Sequence, residues 1–144
     1  MTLKNIIKNI ENKSSKICVM GLGYVGLPLV NAFCTAGFSV NGFDTSKEKI
    51  NQINKSKSDV SEVSIKKIKK FINTKKLIID NDVNLLKNSD IIIICVPTPL
   101  NDSFEPDMQH INTCVMLIKK NAKPNTLVIL ESTSFPGTTK ELVF

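Results

Sequence analysis

The chain has 144 residues, 42% of them apolar and 22% charged, a balance that suits one globular domain with a sizeable core and leaves no room for two full ones. No apolar stretch approaches the ~20 residues of a membrane-spanning helix. The first fifteen residues mix lysine with isoleucine and lack the continuous apolar block of a secretory signal, so the expected site is the cytoplasm, with no membrane partner. The net charge of +6 invites nucleic acid, but all nineteen basic residues are lysines and aromatics are few. Without the planar guanidinium fork or stacking surfaces, no nucleic-acid partner is expected.

Residues 1–15 read as an N-terminal extension. Within it Leu3, Ile6, Ile7 and Ile10 share one face of a short amphipathic helix, expected over residues 3–13 and packed on the outside of the domain. The domain proper, residues 16–144, opens on an apolar strand, Ile17 to Met20, that runs directly into Gly21, Gly23 and Gly26. In a GxGxxG turn the first glycine permits the tight bend, the second lets backbone approach a pyrophosphate, and the third lets the next helix pack on the strand. That helix, beginning near Tyr24, carries Val25, Leu29, Val30, Ala32, Phe33 and Ala36 at helical spacing and stops at Gly37. Its free N–H groups and positive dipole end are expected to face phosphates without help from a charged side chain.

A second strand, Phe38 to Phe43, ends at Asp44, 23 residues beyond Gly21. A carboxylate at about that offset accepts hydrogen bonds from the adenosine ribose and repels a 2′-phosphate, which favours NAD over NADP. Asp44 also suits a turn acid ahead of Thr45 and Ser46, and the two roles are compatible. A helix over Ser46 to Lys55 follows, then a polar stretch at Ser56 to Ser61, a lysine-rich amphipathic helix within Ile65 to Lys76, and a short strand at Leu77 to Ile79. Ile91 to Val96 is continuous and β-branched, the composition of a central strand covered on both faces. A helix over Asp107 to Asn121, another two-faced strand at Leu127 to Leu130 and a helix starting near Pro136 complete the pattern. Five strands alternating with helices predict an α/β fold, a doubly wound parallel sheet of Rossmann type.

Ligands in such sheets lie outside the carboxyl ends of the strands. Two of those ends are unusual: Val96-Pro97-Thr98-Pro99-Leu100, stiffened by two prolines, and the hydroxyl-rich run from Glu131 to Thr139. Each also fits a plain structural role, a rigid turn in the first case and a helix cap in the second. Cys18, Cys34, Cys95 and Cys114 lack the CxxC spacing of a zinc or redox site, and the single histidine, His110, sits in a different element. They are expected to be buried free thiols, with no metal and no catalytic cysteine.

Five motifs in order, GLGYVGLP at 21–28, GFD at 42–44, VPTPL at 96–100, PDM at 106–108 and ESTSFPGTT at 131–139, give the chain its resemblance to the N-terminal NAD-binding domain of the UDP-glucose/GDP-mannose dehydrogenase family. The VPTP and ESTxxPGTT forms are most similar to the branch oxidising UDP-N-acetylglucosamine or UDP-N-acetylmannosamine. The resemblance implies that Gly21, Leu22, Gly23, Tyr24, Val25 and Gly26 hold the pyrophosphate, that Asp44 holds the adenosine ribose with Lys49 beside it, and that Val96, Pro97, Thr98, Pro99 and Leu100 line the nicotinamide side with Ser132, Thr133 and Ser134. Thr133 is implied to orient the reacting centre or a water, the one candidate catalytic residue.

By the same resemblance, the parent carries a UDP-sugar's C6 alcohol through an aldehyde to a carboxylate for polysaccharide synthesis, with two NAD molecules and a thioester on a cysteine, and is a homodimer or larger. This sequence departs from that pattern. The family's nucleophilic cysteine, its lysine and glutamate partners, the sixth strand and the dimerising helix lie beyond the motifs present, and the chain stops at Phe144 inside what reads as an amphipathic helix. The expectation is an incomplete cofactor domain that binds NAD and does not turn over alone. The alternatives are a stand-alone NAD-sensing module, which has no reason to keep VPTPL and ESTSFPGTT together, and a fragment of a β-hydroxyacid-type dehydrogenase, whose later motifs differ.

Overall fold

A computed structural model describes residues 3–58, 60, 63–101 and 104–143, with backbone alone at residues 3, 142 and 143. Part of the polar stretch at 56–61, and Phe144, lie outside the described residues. Five strands, β1 (Lys16–Met20), β2 (Ser39–Phe43), β3 (Leu77–Asp80), β4 (Ile91–Ile94) and β5 (Leu127–Leu130), form one parallel sheet in the order β3-β2-β1-β4-β5. The chain leaves β1 for β2 on one side and reaches β4 on the other, so the order reverses at β1. That reversal opens a crevice above the carboxyl ends of β1 and β4.

Period-two alternation divides the core between the faces. Ile17 and Val19 of β1 pair in register with Ile91 and Ile93 of β4 and point to one side. There they meet α2 (Gly26–Ala36), α3 (Lys47–Asn54) and α4 (Ile65–Asn73) through Leu27, Val30, Ile50, Ile53 and Ile68. Cys18, Met20, Ile92 and Ile94 point to the other side, against Leu86 of α5 (Asn84–Lys87) and Ile111, Val115 and Ile118 of α6 (Gln109–Asn121). β1 and β4 are therefore buried on two faces, which is what lets four consecutive isoleucines sit in β4.

Polar ties fix the ends. Gly37 closes α2, its amide donating to the Cys34 carbonyl while that of Phe38 donates to Phe33. Ser46 caps α3 by accepting from the Lys49 amide. At the amino ends of the strands Asp90 accepts from the Lys16 amide at 2.8 Å and pairs with Lys123, joining β1, β4 and the turn before β5. Buried Asn41 donates to the Leu85 carbonyl and to Ser89, binding β2 to the α5–β4 corner.

Three expectations change. β5 is not covered on both faces: Val128 and Leu130 pack toward α6, but Leu127 and Ile129 stay 36% and 37% exposed because β5 is an edge strand that α2, α3 and α4 do not reach. The N-terminal helix α1 (Leu3–Glu11) forms, yet it does not pack its stripe, and Ile7 and Ile10 face solvent. The four-residue helix α5 is absent from the sequence reading.

Candidate coenzyme site

The crevice encloses about 910 Å³ and is walled by the β1–α2 turn, the end of β2 with α3, the loops after β4 and β5, and one side of α6. Its floor is the glycine turn. Gly21 has φ +93°, and a Cβ there would lie 2.6 Å from the Cys95 carbonyl oxygen of the adjacent strand. At Gly26 a Cβ would overlap the Gly21 carbonyl, so helix and strand meet this closely only with glycine present. Gly23 differs. It has no positive φ, and a Cβ added to it meets nothing within 4 Å. The fold does not require glycine there; open space on the crevice side does, if a ligand's phosphates are to reach the main chain.

The donors at this point are free. No protein acceptor takes the amides of Gly23, Tyr24 or Val25 among the described residues, and no side chain caps α2. An eleven-residue helix thus turns its orphan N–H groups and positive dipole end into the crevice, the arrangement that binds a phosphate group. The residues present fit a dinucleotide's diphosphate.

Asp44 closes the β2 side. Its buried carboxylate accepts from the Leu22 amide and the Lys49 ammonium through Oδ2, each at 2.9 Å, and from the Ser46 amide through Oδ1 at 2.9 Å. Burial works against its ionisation, but the two amides and the ammonium outweigh that and hold the carboxyl below its usual range. Asp44 is therefore an anion at neutral pH, tied directly to the glycine turn, with acceptor capacity left on Oδ1 for a ribose hydroxyl. It is also the turn acid ahead of Ser46, the structural role foreseen for it, through the bond from the Ser46 amide.

On the far side Val96, Pro97 and Thr98 follow β4, and Ser132 and Thr133 follow β5. Ser132 joins the two loops, its hydroxyl donating to the Val96 carbonyl at 2.8 Å. The crevice brings together Gly21, Leu22, Gly23, Tyr24, Val25, Asp44, Lys49, Val96, Pro97, Thr98, Ser132 and Thr133. It does not include Gly26, which lies behind the turn, nor Pro99, Leu100 and Ser134. Pro99 and Leu100 belong to a small outward loop, in which the Asp107 amide donates to the Pro99 carbonyl, Leu100 bridges to Pro106 and its side chain is exposed.

The sequence reading missed the α6 wall, His110, Thr113, Cys114 and Leu117, although their i, i+3, i+4, i+7 spacing marks one helical face. All four cysteines are free and buried. Burial pushes the thiols of Cys18 and Cys95 up to about 12 and those of Cys34 and Cys114 up to about 11, so none presents a thiolate near neutral pH.

A parallel sheet reversing at β1, an uncapped glycine turn at that reversal and an ionised acid at the end of β2 together define a dinucleotide-binding domain of Rossmann type. The chain belongs to the UDP-glucose/GDP-mannose dehydrogenase family: residues 15–144 match the family's NAD-binding domain, which makes NAD the domain's coenzyme. It is 36% identical over 128 residues to a UDP-N-acetyl-D-mannosamine dehydrogenase of Pyrococcus horikoshii, covering 88% of this chain and 30% of that protein. It is 33% identical to a UDP-N-acetyl-D-glucosamine 6-dehydrogenase of Pseudomonas aeruginosa, covering 90% of this chain and 30% of that one. The solved UDP-D-ManNAc dehydrogenase from Pyrococcus horikoshii superposes with a TM-score of 0.82 at 36% identity, over 88% of this chain and 30% of its own. The chain thus spans about 30% of the length of these relatives.

Proposed function

We propose that this chain is the NAD-binding domain, residues 16–144 with an N-terminal extension at 1–15, of a nucleotide-sugar 6-dehydrogenase. The parent would oxidise the C6 alcohol of a UDP-N-acetylhexosamine, or of UDP-glucose, to a carboxylate for polysaccharide synthesis. The observation that carries the coenzyme part is the trio of amides at Gly23, Tyr24 and Val25, without a protein acceptor among the described residues, next to Leu22, whose amide bonds the Asp44 carboxylate. The substrate class rests on the names of the relatives, UDP-N-acetyl-D-mannosamine and UDP-N-acetyl-D-glucosamine dehydrogenases.

Each residue has one task in this reading. The amides from Gly23 to Val25 and the α2 dipole hold the diphosphate, fixing the coenzyme's register along the crevice. Asp44 accepts from an adenosine ribose hydroxyl, and Lys49, beside it, donates to the ribose. Val96, Pro97 and Thr98, stiffened by proline and tied to Ser132, shape the nicotinamide end; Pro99, Leu100 and Ser134 lie outside the crevice and have no task in it. Thr133 offers an exposed hydroxyl there to orient the sugar's C6 group or a water. NAD, when bound, supplies the hydride acceptor; conversion of an alcohol to a carboxylate removes two hydrides and so uses two equivalents. The chain's own thiols stay protonated and cannot form the family's thioester, so by itself it binds coenzyme and reduces none.

The parent is proposed to assemble as a homodimer or larger and to work in the cytoplasm. Four free cysteines and no helix among the described residues long and apolar enough to cross a membrane support that location. NADH fluorescence titration of this chain tests the coenzyme assignment, with saturable binding expected and its absence contradicting it. Steady-state reduction of NAD by the full parent with UDP-N-acetylmannosamine, UDP-N-acetylglucosamine and UDP-glucose in turn tests the substrate class; no turnover with any of them rejects it.

A further inference from the structure

Lys49 is the feature of the crevice that the simple carboxylate argument leaves unused. An acid at the end of β2 excludes NADP because its charge repels a 2′-phosphate. Here that charge is not bare. The Lys49 ammonium lies 2.9 Å from Asp44 Oδ2, with the Lys49 side chain 41% exposed and the Asp44 side chain 7% exposed. The pair presents a net charge of zero to whatever occupies the adenosine end, and the ammonium keeps donors in reserve after bonding Oδ2.

We infer that Lys49 is the residue that sets how strictly this site separates NAD from NADP, by neutralising Asp44 and by offering a cation to a 2′-phosphate. The inference rests on the coenzyme reading above and goes beyond it in assigning discrimination to the pair. Two features make Asp44 the fixed partner and Lys49 the adjustable one. Asp44 is anchored by the Leu22 and Ser46 amides, so it stays in place when Lys49 is changed. Lys49 projects from the first turn of α3, where its backbone is held by the Ser46 cap, and its ammonium reaches Asp44 from a partly exposed side chain that an incoming phosphate can approach.

The two charges must then act in opposite directions. Lys49→Met leaves the carboxylate unneutralised and removes the one lysine that lines the crevice among the described residues; the ratio of NADPH to NADH dissociation constants should rise about tenfold, the size expected for one partly screened charge. Asp44→Asn keeps a side-chain acceptor and frees the ammonium, and the ratio should fall by about the same factor. In the double variant that gain should vanish.

The experiment is fluorescence titration of the 144-residue chain and the three variants with NADH and NADPH at low and at 0.5 M salt. Taking the ratio of two ligands within each variant cancels effects on folding. Opposite shifts for the single variants, reduced by salt, support the inference. An unchanged ratio in Lys49→Met overturns it, and this arm suffices if Asp44→Asn does not fold. Failure of the wild-type chain to bind NADH at all would instead reject the coenzyme reading.

Discussion

Gly23→Ala adds one methyl group at a point where no protein atom lies within 4 Å of it and where the backbone has no positive φ. On folding alone the change should be harmless or mildly favourable, because alanine narrows the unfolded ensemble by about 0.4–1 kcal/mol at compatible positions. The melting temperature should hold or rise by about 1–4 °C. Coenzyme binding should respond the other way. The methyl would occupy open space beside the amides proposed to hold the diphosphate, and should push it out of hydrogen-bonding range. Hydrogen bonds to a charged group contribute about 1.5–3 kcal/mol each, so losing one weakens NADH binding roughly 10- to 100-fold. Thermal melting and NADH fluorescence on the same sample read both effects. A variant that binds NADH like the wild type refutes the placement of the diphosphate, and one that unfolds refutes the claim that the fold leaves this space open.

Gly26→Ala should behave oppositely: its methyl overlaps the Gly21 carbonyl, so the melting temperature should fall steeply, by about 5–15 °C for a cost of about 2–4 kcal/mol, and a calorimetric melt at the wild-type temperature would contradict the packing described. Asp44 titrates below its unfolded value of about 3.9, so its contribution to stability is present above that value and is lost as pH falls through the lower folded one. The stability gap between wild type and Asp44→Asn, from urea unfolding, should therefore shrink as pH falls below about 5; a gap that stays constant on acidification contradicts the hydrogen bonds assigned to the carboxylate. The four thiols, raised to between about 11 and about 12 by burial, should resist a disulfide reagent at pH 8 in the folded chain and all react in urea. Rapid labelling of Cys95 or Cys114 in the native state would show an accessible thiolate where none is expected.

Local chemistry is what the sequence made legible. The glycine turn is a contiguous motif whose steric reasons act over a few residues, and Asp44 follows from it by a fixed offset, so both were readable before any tertiary contact was known. The isoleucines of β4 announced a strand buried on both faces. The same composition misled at Leu127 to Leu130, because apolar β-branched content reports a strand's fitness for a sheet but not which neighbours reach it; Leu127 and Ile129 lie on the edge strand's uncovered face. The four-residue α5 is too short to show a period. It is held by a tertiary bond from the Asn41 amide of β2 to the Leu85 carbonyl, which the nearby Ser89 hydroxyl also reaches. The crevice face of α6 was unreadable for a related reason: spacing shows that His110, Thr113, Cys114 and Leu117 share a side, but only the crossover to β5 decides that this side looks into the crevice. Lys49 needed the structure for its distance to Asp44, which turns a nearby cation into a partner.

An amide NMR titration of the chain with NAD tests the central claim most directly, because it reports on the main-chain donors themselves. Saturable shifts should be largest at Gly23, Tyr24 and Val25, followed by Leu22 and Ser46 through the Asp44 carboxylate, with little change along α4. Shifts that spare the residues between Gly21 and Gly26, or that centre on another surface, would contradict the account.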